Sequence, residues 1–277
     1  MTILFIGDIV GRPGRDLVQK GLRAVVEHYD VDFTIANAEN AAAGFGLTRD
    51  IGETLLDWGI DVMTSGNHIW DKKEVLEYIP GEPRLLRPAN YPAGVPGRGS
   101  CVAQTRDGRS VGVINVMGRV FMAPLDDPFA VALREIDAVR HRARIIVVDV
   151  HAEATSEKIA MGWHLDGRVT AVIGTHTHVQ TADERILPGG TAYLTDAGMT
   201  GPHDSIIGME KEPSLSRFLN GMPAKFEPAA GNPRLNGAVI EADDKTGRAT
   251  KITRISYSAK DLDELAVRSA VRGTTGV

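Results

Sequence analysis

Cysteine is scarce in this chain, and its scarcity limits both the cellular compartment that we expect and the kinds of cysteine site that the chain can form. Cys101 is the only cysteine among 277 residues. A single thiol excludes an internal disulfide framework and a metal cluster held by thiolates. We therefore expect a reducing, cytoplasmic setting.

Long apolar runs and a strong charge of one sign are missing as well. The sequence contains no apolar stretch of the roughly 18 residues that suggest a membrane-spanning helix, and residues 1–6 lack the basic start of a secretion signal. The formal net charge of -5 argues against a broad basic face for DNA or RNA. We expect neither membrane insertion nor extended nucleic-acid binding, and short nucleotides stay among the candidate substrates.

Short apolar runs alternate along the chain with helical patterns. Helices are predicted at about 15–29, 48–58, 71–78 and 128–142, between runs that have the composition of buried strands. This alternation favours a mainly parallel sheet core. Two β-hairpins, at 101–116 and 237–257, are predicted beside it. We therefore predict a single α/β domain over residues 1–277, a four-layer αββα sandwich with two mixed β-sheets.

Two stretches depart from this alternation. Residues 80–99 contain five prolines and four glycines, which predicts a long irregular excursion. Such a loop can serve as a lid or a binding wall, and Arg84, Arg87 and Asn90 are then placed to approach the site. A surface loop with solvated arginines is the favoured interpretation. The C-terminal tail from about residue 269 is predicted to be frayed.

Side chains of the types that bind metal ions follow directly after several of the apolar runs. Five runs end in metal-binding side chain types: Asp8; Glu39 and Asn40; Asn67 and His68; His151; and His176 and His178. Because the carboxyl ends of parallel strands meet at one edge of a sheet, these groups are expected to lie together. Mixtures of nitrogen and oxygen ligands suit iron, manganese or zinc better than calcium.

The two histidines of the fifth run suggest a site for more than one ion. Residues two apart on extended backbone project from the same face, so His176 and His178 are expected to reach one pocket and two neighbouring ions. Two ions together activate a water and neutralise phosphoryl oxygens, which is the chemistry that phosphate ester hydrolysis requires.

In chain order these motifs resemble the calcineurin-like metallophosphoesterases. The shared elements are Asp8, Gly66-Asn67-His68, His151 and Gly174-Thr175-His176-Thr177-His178. The YmdB-like branch of that superfamily is resembled more closely, through Gly7-Asp8-Ile9-Val10-Gly11, Asn37-Ala38-Glu39-Asn40 and Gly66-Asn67-His68-Ile69-Trp70-Asp71. The resemblance covers Met1 to about Tyr257.

The resemblance implies two divalent or trivalent ions per chain, with iron or manganese favoured over zinc. It assigns Asp8 and His178 to the first ion, assigns Asn67, His151 and His176 to the second, and makes Glu39 the bridge between them. Val10 stands where the wider family has a histidine. The first ion is then one ligand short, and Asn40 is the candidate that fills the position.

The resemblance also places His68 against the substrate rather than against an ion. There it would hydrogen-bond the phosphate or protonate the leaving oxygen. Asp71, three residues on, is a candidate to orient His68, although a helix cap is the favoured role for Asp71.

We predict a dinuclear metal-dependent phosphodiesterase that acts on small phosphodiesters, with 2′,3′-cyclic nucleotides as the leading candidate. A metal-bridging hydroxide would attack phosphorus while His68 assists the leaving group. A phosphomonoesterase is the first alternative, and a regulatory protein that binds a nucleotide or RNA end with little turnover is the second. An amide hydrolase ranks last. Self-association is the default expectation.

Overall fold

The strands of the protein form two sheets. The computed structural model describes the backbone of residues 1–275 and the side chains of residues 1–268. In chain order the strands are β1 (Thr2–Ile6), β2 (Phe33–Asn37), β3 (Val62–Thr64), β4 (Ser100–Gln104), β5 (Ser110–Met117), β6 (Ile145–His151), β7 (Ala171–Thr175), β8 (Arg185–Ile186), β9 (Ala192–Leu194), β10 (Gly201–Pro202), β11 (Pro233–Ala242) and β12 (Ala249–Ser258).

Parallel strands form the centre of each sheet, and antiparallel strands flank them. The first sheet has the order β10-β11-β1-β2-β3 with β12 paired to β11, and the second has the order β4-β5-β6-β7-β9-β8. β1, β2 and β3 are parallel, as are β5, β6, β7 and β9. The two predicted hairpins are the antiparallel pairs β4–β5 and β11–β12. The prediction of two mixed sheets is confirmed.

Most of the helices cover the outer faces of the two sheets. They are α1 (Gly11–Tyr29), α2 (Arg49–Asp57), α3 (Val75–Tyr78), α4 (Pro128–Val139), α5 (Thr155–Leu165), α6 (Lys211–Asn220) and α7 (Ala259–Thr275). Apolar residues of α1, α2 and α7 pack on the first sheet, whereas those of α4 and α5 pack on the second. The four-layer αββα arrangement is therefore confirmed.

The alternation of side chains along a strand explains how one strand serves two layers. In β1, Ile3 and Phe5 point into the layer between the sheets, whereas Leu4 and Ile6 point towards the helices. A strand buried on both faces is apolar at every position, which is why β1 reads as a continuous apolar run.

The proline-rich stretch 80–99 connects the two sheets. Its backbone pairs with Met63 of β3 on one side and with Asn115 of β5 on the other. The Arg87 guanidinium donates to the carbonyls of Pro88 and Pro96, and the Asn90 side chain bonds the backbone of Met117. These side chains hold the connection in place.

Helix α7 extends into the tail that was predicted to be frayed. The backbone of residues 269–275 belongs to α7, and the remainder of the tail that was predicted to be frayed lies outside the described residues. Within the described residues, no helix combines the length and apolarity that crossing a membrane requires.

The layer between the sheets should carry much of the stability. Phe5 lies there with 0% exposure, whereas Phe121 is 89% exposed in a loop. We expect Phe5→Ala to lower the free energy of unfolding by about 3–5 kcal/mol, because it removes buried apolar area and leaves a cavity. Phe121→Ala should change it by less than about 0.5 kcal/mol. Urea denaturation measures both, and equal shifts in the two variants would contradict this account.

Candidate metal centre

The layer between the sheets turns from apolar to polar at the carboxyl ends of the parallel strands. Along β6, Ile145 and Val147 lie in the apolar layer, and the same alternation directs Asp149 and His151 inward. Equivalent inward positions at the ends of β2, β3 and β7 hold Asn37, Thr64 and Thr175. The site is thus the polar end of the buried layer.

Asp149 is a completely buried carboxylate that joins the two sheets. Its Oδ2 accepts hydrogen bonds from Asn37 Nδ2 at 3.1 Å and from Thr64 Oγ1, both in the first sheet. Its Oδ1 accepts from Thr175 Oγ1 of the second sheet at 2.7 Å. Burial raises the pKa of Asp149 to about 7, although the neighbouring His151 and these donors act to lower it.

The Thr175 hydroxyl connects Asp149 to His151 through two hydrogen bonds. The Thr175 hydroxyl gives its proton to Asp149, so its oxygen accepts from the Nδ1–H of His151 at 2.9 Å. This bond fixes the ring and leaves Nε2 to face Glu39, Asn67 and His176. A histidine that donates one ring N–H to an oxygen in this way is oriented as a metal ligand through the other nitrogen.

Three lone-pair atoms converge on His151 Nε2. Asn67 Oδ1 lies at 2.9 Å, Glu39 Oε1 at 3.0 Å and His176 Nδ1 at 3.0 Å. Ligand atoms of Glu39, His151 and His176 lie within 4.8 Å of one another. A single proton cannot satisfy all of these atoms at once, whereas a shared cation can. Gly66 permits the approach, because a Cβ there would lie 2.1 Å from the His151 ring.

A second group of ligand atoms lies next to the first. Asp8 Oδ1 is 3.9 Å from His178 Nε2, and Asn40 Nδ2 is 3.1 Å from the same nitrogen. His178 donates Nδ1–H to the carbonyl of Ile207 at 2.8 Å, which leaves Nε2 with its lone pair. Asp8 Oδ1 and Asn40 Oδ1 are buried without a hydrogen-bond partner among the described residues. Unpaired buried acceptors are costly, and a cation here would satisfy them.

The electrostatics of the centre also favour a cation. Burial alone would raise the pKa of Glu39, but His151 outweighs it and lowers this pKa to about 2. Burial would lower the pKa of His151, but Glu39 and Asp8 raise it to about 9. Burial and the neighbouring His151 lower the pKa of His176 to about 3, so its ring is neutral and one of its two nitrogens keeps a lone pair. A bound cation would take over the compensating charge that His151 otherwise carries.

The backbone that carries His176 and His178 is not extended. β7 ends at Thr175, and the two histidines have φ angles of 97° and 64°. The prediction that they lie on extended backbone is therefore wrong, although both rings line one cavity. Thr177 donates to Asp196 from its backbone and its hydroxyl, at 3.2 Å and 2.7 Å. This contact holds the left-handed turn, a rare conformation outside glycine.

His68 lies at the edge of this centre and is held at two points. Its backbone N–H donates to Glu39 Oε2 at 2.9 Å, and its Nδ1 lies 2.8 Å from Asp71 Oδ2. α3 begins only at Val75, after Glu74, so the prediction that Asp71 caps a helix is wrong. Asp71 instead orients the ring of His68.

A cavity of about 730 Å³ opens over these residues. Glu39, Asn40, His68, His176 and His178 line it. Sequence reasoning did not identify Asp149, Thr175 or Glu153, whose Oε2 lies 3.1 Å from His176 Nε2. The inward alternation along β6 and β7 was the available signal for Asp149 and Thr175. The residues that line the cavity do not include Arg84, Arg87 or Asn90.

The chain is similar to known proteins over most of its length. Residues 4–255 match the family model described as YmdB-like protein. A 2′,3′-cyclic-nucleotide 2′-phosphodiesterase from Bacillus subtilis (strain 168) is 52% identical over 255 residues, which cover 92% of this chain and 96% of the relative. A hypothetical protein from Thermus thermophilus superposes with a TM-score of 0.86 at 44% identity, over 93% of this chain and 99% of its own. A novel phosphatase from Mycoplasma pneumoniae gives 0.87 at 35% identity, over 93% of each chain.

The Thr175 hydroxyl should set the metal affinity of the centre. We expect Thr175→Val to weaken Mn²⁺ binding by about 10–100-fold, because the Nδ1–H of His151 loses its acceptor and Asp149 loses a donor. Thr175→Ser keeps the hydroxyl and should bind as the unaltered protein does. Competition with a chromophoric chelator measures the affinity, and thermal melting verifies that both variants are folded. Equal affinity in the two variants would contradict the role of the Thr175 hydroxyl in orienting His151.

Proposed function

The chain belongs to the YmdB-like family, and from this premise we propose that it is a dinuclear metal-dependent phosphodiesterase. The observation that carries the proposal is the meeting of two groups of buried ligand atoms at one cavity. Two of those atoms, on Asp8 and Asn40, are oxygens without a hydrogen-bond partner among the described residues. Iron or manganese is the favoured metal and zinc the alternative, because the donors mix imidazole, amide and carboxylate.

Each group of ligand atoms would hold one ion. The set is Asp8, Asn40 and His178 for one ion, Asn67, His151 and His176 for the other, and Glu39 as the bridge. When bound, such ions supply positive charge to the phosphoryl oxygens and activate water. The protein contributes a rigid frame, since Thr175 and the Ile207 carbonyl fix the rings of His151 and His178.

His68 is the catalytic residue of the proposal. Its Nδ1 bonds the Asp71 carboxylate, which orients the ring and leaves Nε2 as the nitrogen that faces the substrate side and can transfer a proton. A proton transferred from Nε2 to the leaving oxygen prevents that oxygen from departing as a strongly basic anion. The bond from its N–H to Glu39 ties the position of His68 to the metal ligands.

The charges around the cavity favour a diester over a monoester. Arg217 is the one Lys or Arg side chain among the described residues that line it. A phosphomonoester dianion calls for more fixed positive charge than a diester monoanion does. The Bacillus relative is named as a 2′,3′-cyclic-nucleotide 2′-phosphodiesterase, and this makes a cyclic nucleotide the leading substrate candidate.

Metal dependence is the first test of this proposal. Purified protein should hydrolyse 2′,3′-cyclic AMP with Mn²⁺ and lose this activity on treatment with a chelator. Glu39→Gln should lower the rate by about 100-fold or more, because groups outside the ligand shell alone are worth about 10–100-fold. Glu241→Gln, at an exposed ion pair on β11, is the control and should keep full activity. Full activity in chelator would contradict the proposal.

The role of His68 gives a second test. His68→Ala should reduce turnover of 2′,3′-cyclic AMP by about 10²–10⁴-fold while metal content stays unchanged. The loss should be much smaller with bis(4-nitrophenyl) phosphate, since nitrophenolate leaves without a proton. Asp71→Asn should show the same pattern to a lesser degree. A loss of equal size on both substrates would exclude the acid role.

A further inference from the structure

The cavity over the metal centre has two chemically different walls. Metal-binding side chains and His68 form one wall, as described above. The second wall is apolar and consists of Phe45, Ile206, Ile207, Met209, Phe218 and Phe226. It adjoins the first wall, because the Phe45 ring lies against the ring of His68. Phosphate chemistry does not use an apolar wall, so this wall is available to a part of the substrate other than the phosphate.

Most of this wall is carried by one excursion of the chain, residues 206–229, which we call the cap segment. It contains α6, and its two ends are tied together by backbone bonds from Glu210 to Glu227 and from Ala229 to Gly208, each 2.9 Å long. Met209 is buried with Val10 and Met199, and Phe45 and Phe226 pack against this cluster. The wall is therefore fixed to the body of the protein.

One aromatic ring of the wall is left largely uncovered. Phe218 of α6 is 79% exposed although it lines the cavity. Beside it, the Arg217 guanidinium lies 5.4 Å from the centre of the Phe226 ring. A flat apolar partner stacked on these groups would remove aromatic surface from water. Aromatic and arginine side chains arranged in this way typically stack nucleobases.

A buried hydroxyl in the lining indicates that the group bound in the cavity is polar at its edge as well as flat. Ser214 of α6 lines the same cavity and is only 3% exposed. Its Oγ is buried without a hydrogen-bond partner among the described residues. A hydroxyl both donates and accepts, so it can pair with a ring nitrogen or an exocyclic group at the edge of a base. An acyl chain would leave this hydroxyl unpaired.

We propose that the apolar wall is a nucleobase subsite in which Phe218 stacks on the base and Ser214 bonds its edge. This inference rests on the proposed function, because it places the phosphodiester of the same substrate at the metal centre. It identifies the substrate class as nucleoside phosphodiesters rather than phosphodiesters in general.

The test compares two five-membered cyclic diesters, of which only one carries a nucleoside. 2′,3′-Cyclic AMP carries adenine, and glycerol 1,2-cyclic phosphate carries neither ribose nor base. Phe218→Ala should lower kcat/KM for cyclic AMP by roughly tenfold, mainly through KM, and leave glycerol 1,2-cyclic phosphate unchanged. Phe218→Trp should retain the rate on cyclic AMP. Leu219→Ala removes an equally exposed neighbour that does not line the cavity and should match the unaltered protein.

Either of two results with the diesters would by itself overturn the subsite. One is an equal loss on both diesters in Phe218→Ala, and the other is no loss on either. If Phe218→Ala and Leu219→Ala both turn an oligomer into a monomer and lose activity alike, the exposed face of α6 is an interface between copies of the chain and the subsite is excluded.

A separate binding experiment distinguishes failure of the proposed function from failure of the subsite. If the unaltered protein hydrolyses neither diester, binding of adenosine, which has no phosphate, is measured by calorimetry. Binding that Phe218→Ala weakens and Leu219→Ala preserves would support the subsite without any turnover. Absence of adenosine binding to the unaltered protein would overturn it.

Discussion

The position of the Asp149 carboxylate between the two sheets is the constraint on which the site depends. A buried carboxylate needs donors, and this one takes them from Asn37 and Thr64 of the first sheet and from Thr175 of the second. These bonds hold together the strand ends that carry the ligand atoms. Through Thr175 the same carboxylate sets which nitrogen of His151 faces Glu39 and His176. The packing of two sheets and the chemistry of one imidazole thus depend on one group.

Much of the fold and part of the candidate site could be predicted from the sequence, because the relevant signals are local. Apolar runs and helical patterns predict the strands, and the parallel arrangement collects their carboxyl ends at one edge. Asp8, Glu39 and His151 were therefore expected to lie near one another, and the structure brings them together. Signals that depend on tertiary contacts were out of reach. The left-handed backbone at His176 and His178 depends in part on the distant Asp196, so no spacing rule predicts it.

Contacts between distant segments also explain the other differences. Asp71 was expected to cap a helix, but α3 begins later and leaves its carboxylate to His68. The arginines of residues 80–99 were expected either to be solvated or to approach the site, yet Arg87 is buried and bonded to carbonyls of its own segment. Composition indicates that such a segment is irregular, but it does not indicate what its side chains bind. The apolar wall was missed for the same reason, since Phe45 and the cap segment meet only in the folded protein.

Ile207 joins the cap segment to the metal centre. Its φ of 46° is unfavourable for a β-branched residue, and its carbonyl holds His178 at 2.8 Å. Its side chain belongs to the apolar wall. Strand ends supply the phosphate chemistry, whereas a single surface excursion supplies most of the wall, so the two can diverge separately in evolution. If the apolar wall is the nucleobase subsite proposed above, substitutions in α6 would change substrate preference in a lineage without altering the proposed metal ligands, provided that the Ile207 carbonyl keeps its place.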